Sequence, residues 1–246
     1  MAEKQSDPND SQNQDSSLDP RAQALFNAIR ERSAQDPLVG AKIGGKEILQ
    51  RLLDAMKNER GVHAESLMCV LGALAGYACQ ACLRAQAVTE KMHADAAFHV
   101  METDDGGRYF FGDPLNNLLI SAKYSVWGLA GAAAQQAGVK DLLDLNDIFA
   151  HTASALGTPL FGVPRVPENH RAGDLPINYL KALWPQVFPT IQQFCPNPAH
   201  WPILLGLAIQ EAINMSISVL SPDLSLKMVM ESAIPMSKVD LSESSP

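Results

Sequence analysis

Two long stretches of this chain can persist only where water is excluded. Leu67 to Leu83 carries no charged residue, and Trp201 to Leu220 carries one, Glu211. Both must be buried, either in a bilayer or inside a helical core. At about 17 residues the first run sits at the lower limit for a membrane span. It also has Gly72 and Gly76 in the spacing that lets helices approach closely. The second run contains Gln210, Glu211 and Asn214, and its carboxylate would be expensive in lipid. The continuations, Arg84-Ala85-Gln86 and Ser221-Pro222-Asp223, supply neither an aromatic belt nor a strong positive asymmetry. Both runs therefore read as buried core helices, and no membrane partner is expected.

Composition supports a helical interior. Hydrophobic residues make up 46% of the chain and charged residues 19%, enough to build a core. Much of that apolar content is Ala, Leu and Met, which favour helices over strands. The formal net charge of −8, with no offsetting run of Lys and Arg, argues against nucleic acid as a partner. The opening Met1 to Asp7 has neither a basic region nor an apolar one, so it does not read as a secretory signal. Cys69, Cys79, Cys82 and Cys195 are too few, and too apolar in context, for a disulfide framework. The expectation is a cytoplasmic protein with reduced thiols and no cofactor.

The expected fold is mainly α: a single globular helical domain of about eight helices with one β-hairpin at about 97–112. Residues 1–18 offer almost nothing to bury and read as a disordered acidic tail, 19–234 as the helical domain, and 235–246 as a flexible tail. Asp19 and Pro20 open the first helix. Gly40 to Gly45 reads as a loop ahead of a second helix ending near Gly61, and a long third helix spans Ala64 to Met92. Asp105-Gly106 between two β-prone runs marks the hairpin. Asp113-Pro114 opens an unbroken helix to Gly138, followed by a shorter one from Leu142 to Leu156. Pro185 and Pro189 divide 176–195 into two short pieces. Two further helices begin at Asn197-Pro198 and Ser221-Pro222, and no internal repeat is visible.

Chemical motifs are sparse. Gly40 to Lys46 matches the GxxxxGK spacing of a phosphate-binding loop, but Glu47 stands where a Ser or Thr should hold magnesium, and no strand precedes it. Cys79-Gln80-Ala81-Cys82 falls in mid-helix rather than at a helix N-terminus, and no second pair completes a zinc site. Six scattered histidines give no HExxH and no pair of ExxH motifs, so no metal site is expected. A Ser nucleophile elbow is also missing.

Two candidate sites remain. Lys123 and Glu211 are lone charges in apolar surroundings: a buried polar pair if they meet, helix-edge residues if they reach water. The stretch from Thr158 to Asp174 is long and irregular; Pro159, Pro164 and Pro167 stiffen it, and Leu160, Phe161 and Val163 can anchor it. It displays Arg165, Glu168, His170, Arg171 and Asp174. Two arginines can grip a carboxylate or phosphate, and a histidine titrates near neutral pH. The function expected is a non-enzymatic interaction or regulatory protein, with a homo-oligomer or another protein as partner. The alternative is a helical small-molecule-binding protein or enzyme whose polar pocket uses Lys123, Glu211 and this loop.

Overall fold

The computed structural model describes residues 20–104 and 106–241. The expected disordered tail at 1–18 therefore lies outside the described residues, as do 242–246. The chain divides into two compact units, Met1–Val39 and Gly40–Pro246.

In the first unit, α1 spans Pro20–Arg32, with Arg30 and Arg32 in its last turn, where positive charge complements the helix dipole. Ser33 closes it, its backbone N–H and its hydroxyl both donating to the Ile29 carbonyl. The Asp36 carboxylate then accepts the Leu38 N–H at 3.1 Å, forming a turn.

The second unit holds α2 (Val39–Met56), α3 (Ala64–Thr89), β1 (His99–Glu102), β2 (Arg108–Phe111) and the single turn α4 (Asp113–Asn116). Next come α5 (Val126–Gln136), α6 (Leu145–Ser154), α7 (Pro176–Phe194), α8 (Trp201–Ser216) and α9 (Pro222–Met236). Among the described residues of the whole chain, eight helices reach ten residues or more, and one two-stranded antiparallel hairpin accompanies them. The protein is mainly α.

α3 is the central element, covered by α9, α8 and α7. Ser66 through Gly76 are all buried. It is long and apolar enough to cross a membrane, yet 89% of its apolar window is packed inside the fold. Its glycines explain how the neighbours come so near. A Cβ at Gly72 would overlap the Val229 carbonyl of α9, and one at Gly76 the Ala233 carbonyl. One turn further, Gln80 donates to the Ser237 and Val239 carbonyls, each at 3.0 Å. Steps of four residues on both partners show α3 and α9 running side by side in the same direction.

Three expectations are corrected. The Gly40–Lys46 motif is not a loop but lies inside α2. There its glycines serve close packing: a Cβ at Gly45 would stand 2.8 Å from the Leu204 carbonyl oxygen of α8, and one at Gly44 2.7 Å from Phe194 Cβ. The helix expected from Asp113 to Gly138 is broken. A π-helical turn at Asn117–Ser121 ends at Ala122, and Ser125 starts α5 afresh, its hydroxyl accepting the Gly128 N–H at 3.0 Å. Conversely, α7 is one helix, not two. Pro185 and Pro189 fall on its exposed face with Lys181, so the carbonyls they leave unbonded look toward water.

The largest departure is at the C-terminal side. Residues from 235 onward were expected to fray, yet Pro235 to Val239 are buried. Phe110 N–H donates to the Lys238 carbonyl at 2.9 Å and Tyr109 forms an isolated antiparallel bridge with Val239, so this segment is tied to the outer side of β2. Polar composition suggested solvent, but backbone pairing and Gln80 hold the segment in the fold.

Gly76→Ala should cost about 3 kcal/mol or more, because the new methyl meets a fixed carbonyl. Gly131→Ala in α5, whose Cβ would find its nearest neighbour at 3.9 Å, should be neutral or gain roughly 0.5–1 kcal/mol. Urea melts of the two variants check this contrast; equal destabilisation would contradict it.

Candidate functional site

The irregular segment from Thr158 to Asp174 passes Met236 and Glu231 of α9 and reaches Glu65 and Ser66 at the start of α3, and its charges are drawn to different helices. Phe161 packs edge-on against Tyr109 of β2, with ring centroids 4.9 Å apart. Gly162 takes a left-handed φ of +71°, beside Met236. Leu160, expected as an anchor, is 62% exposed instead.

Arg165 turns inward. Its Nη2 lies 2.9 Å from Glu231 of α9 and 2.8 Å from Asp147 of α6, and its Nε donates to Glu231 at 3.0 Å. The Glu231 side chain is only 3% exposed, so this guanidinium is what makes its burial tolerable. His170 pairs with a second core helix: Nδ1 lies 2.8 Å from Glu65 Oε1 at the start of α3, and His63 approaches the other oxygen at 3.2 Å. Burial of Glu65 works to raise its pKa. The His170 hydrogen bond, its own backbone and the two imidazoles outweigh that and hold it below the ordinary carboxylate range. Gly173 N–H donates to Ser66 Oγ at 2.8 Å, adding another tie to α3.

The remaining candidates face water. Glu168 and Arg171 make an exposed pair at 3.7 Å. Asp174 accepts from Leu175 N–H and Asn178 Nδ2, both at 2.7 Å, and these bonds lower its pKa while shaping the start of α7. The five residues thus do not converge on one point. Arg171 and Asp174 do border a pocket of about 160 Å³ whose floor includes Val163, Pro164 and Leu175.

Lys123 and Glu211 are corrected outright as a buried pair, because both are exposed. Lys123 lies in the break before α5, its ammonium 5.2 Å from the Tyr124 ring. Glu211 lies on the open side of α8, in a cleft of about 260 Å³ shared with Lys42, Lys46 and Gln210.

Among the described residues the buried charged ones are others, Glu231 and Lys238. Glu231 had a signal in the sequence: it is a lone acid in Met228-Val229-Met230-Glu231-Ser232-Ala233-Ile234, the same pattern that singled out Glu211. Lys238 had none, since Ser237-Lys238-Val239-Asp240 reads as ordinary polar tail. Yet its residue is 1% exposed. Its ammonium donates to Asn116 Oδ1 at 3.0 Å and sits 5.4 Å and 5.7 Å from the Phe111 and Phe149 rings. No carboxylate pairs with it among the described residues. Burial lowers its pKa from the ordinary 10.5 to about 8, with only a small opposing influence from Cys79.

All four thiols are free and buried, and burial pushes those of Cys69, Cys82 and Cys195 up to about 12. Such thiols are poor nucleophiles. Among the described residues no group of three or more His, Cys, Asp or Glu is placed to hold a metal ion. Compared with protein-family models, with curated proteins and with solved structures, the chain matches none.

Two measurements test these assignments. Arg165→Ala strands Glu231 and should lower the melting temperature by several degrees, whereas Arg171→Ala removes only an exposed pair and should cost less than about 0.5 kcal/mol. For Lys238 the sign is set by its lowered pKa. The penalty for burying the charged form is fully present below pH 8 and fades as pH rises toward 10.5. The four buried thiols act oppositely, since the unfolded chain ionises first and alkaline pH favours it. The stability of Lys238→Met relative to wild type isolates the lysine. That difference should shrink by about 3 kcal/mol between pH 7 and 10.5; a difference that stays constant would place the ammonium in water.

Proposed function

We propose that this chain is a non-enzymatic interaction protein of the cytoplasm whose hairpin edge pairs with a second copy. The observation that carries the reading is the state of β1. All four of its residues are exposed, with Val100 40% and Met101 52% accessible, and among the described residues no strand lies against its outer side. The direction of its free backbone groups can be deduced from the register. Phe110 N–H points to Lys238, hence away from β1, and Val100 stands opposite Phe110. In an antiparallel ladder the partner of such a residue also points outward. The N–H and C=O of Val100, and by period two those of Glu102, therefore face the open edge.

An exposed edge with apolar side chains invites strand pairing unless something blunts it. A two-fold antiparallel pairing would set Val100 opposite Glu102 of the second copy and bring the two Met101 side chains together at the axis. The small-molecule reading has less support: the Lys42–Glu211 cleft, at about 260 Å³, falls short of the roughly 300–1,000 Å³ usual for ligand sites.

Val100→Pro is the discriminating variant. It removes an N–H that points outward, leaving the β1–β2 ladder intact. Sedimentation velocity at tens of micromolar should show a concentration-dependent dimer for wild type and a monomer for Val100→Pro, with melting temperatures within a few degrees. A wild-type chain that stays monomeric would refute the reading.

A further inference from the structure

The opposite edge of the hairpin is not open, and what fills it is unusual. Beyond the Ser237 cap of α9, Lys238–Asp240 meets β2 through one antiparallel bridge, Tyr109 to Val239, and the carbonyls of Ser237, Lys238 and Val239 are each met by a donor. Gln80 Nε2 serves Ser237 and Val239, and Phe110 N–H serves Lys238. Side chains are read as well. Lys238 enters a slot between Phe111 and Phe149 that ends at Asn116 Oδ1, and the Asp240 carboxylate meets Arg108 Nη1 at 3.0 Å. Arg108 is itself positioned by Asp95 at 3.5 Å and Glu102 at 3.7 Å. Backbone donors for affinity and pockets for alternate side chains for selectivity are the elements of strand-addition recognition.

The fit is also imperfect in two places. The Lys238 ammonium is desolvated opposite a neutral amide oxygen, with no carboxylate partner among the described residues. Gln80 Oε1 is buried with no hydrogen-bond partner. A cation and an acceptor left this way oppose the segment's retention. Ser237 still caps α9, its N–H on the Ala233 carbonyl at 3.0 Å, and a turn from Lys238 N–H to the Pro235 carbonyl at 2.9 Å follows, so the chain beyond Ser237 can detach while the helix stays in place.

We propose that the groove between Gln80 and β2 is a strand-binding site, held in cis by Lys238–Asp240 and able to accept an incoming extended peptide with a lysine and, two residues on, a carboxylate. The segment then acts as an internal competitor, and partner binding converts a closed hairpin edge into an intermolecular one. This does not rest on self-pairing through β1, which uses the other edge and other residues.

The test uses the full chain. Lys238→Glu combined with Asp240→Lys spoils the internal strand and leaves every groove residue unchanged. A fluorescent peptide of residues 234–241, in wild-type sequence, should bind this variant at least about tenfold more tightly than it binds wild-type protein, where the tethered segment competes. The same peptide carrying both charge reversals should not bind. Hydrogen exchange supplies a measurement that needs no variant. In the wild-type chain the Phe110 amide should exchange at least about tenfold faster than the buried amides of Leu71 to Gly76, reporting an opening that leaves α3 folded. Addition of the wild-type peptide to the variant should restore Phe110 protection. Phe110 exchange as slow as the α3 core, or a folded variant that ignores the peptide, would overturn the proposal. Loss of β1 self-pairing alone would leave all of these readouts unchanged.

Discussion

The second unit is organised by the closeness of α3 to α9. Gly72 and Gly76 let the backbone of one helix rest on carbonyls of the other, at Val229 and Ala233. At that distance many weak dispersion contacts add along the seam, and no side chain intervenes to separate the helices. The seam also fixes the position of the chain beyond its end. Because both partners advance four residues per step, the next position on α3 is Gln80 and the next past Ala233 is Ser237. The end of α9 is thereby delivered onto a carboxamide with two donors to offer, and from there onto β2.

Burial on that scale forces decisions about polar groups. α9 carries Glu231 into the core along with its apolar neighbours, and the irregular segment supplies Arg165 to meet it. His170 does the same for Glu65 on α3. Much of the charge that makes this segment look like a binding loop in sequence is engaged in holding it to the helices. Lys238 is handled differently, by rings and one amide oxygen rather than a carboxylate. That asymmetry separates a settled contact from one poised to open.

Helix content and the hairpin were legible in the sequence because they depend on neighbours three, four or two residues away, and Ala, Leu, Met and Asp-Gly report on such neighbours directly. Breaks were harder to read. The continuous apolar stripe from Leu115 to Ala133 suggested one helix, but the Ser125 hydroxyl offered the backbone a competing bond. Pro185 and Pro189 suggested a break, but their shared exposed face let the helix pass through. In both cases the deciding fact was which side of the helix met water, and that depends on what packs against it.

The same limit applied to the charges. A lone ionisable residue in an apolar run marks a residue that must be explained, and the sequence offered Glu211 and Glu231 on equal terms. Only the tertiary structure turned one outward on α8 and the other into the core against Arg165. Lys238 gave no local sign at all, because its burial comes from Phe110, Phe111, Asn116 and Phe149, residues about 90 to 130 positions away in the chain. What the sequence determined by itself was the set of elements and the need to bury α3, since both arise from local periodicity and transfer from water. Which polar groups accompany those elements inside was decided by long-range contacts, because desolvation is a property of a place in the fold and not of a stretch of chain.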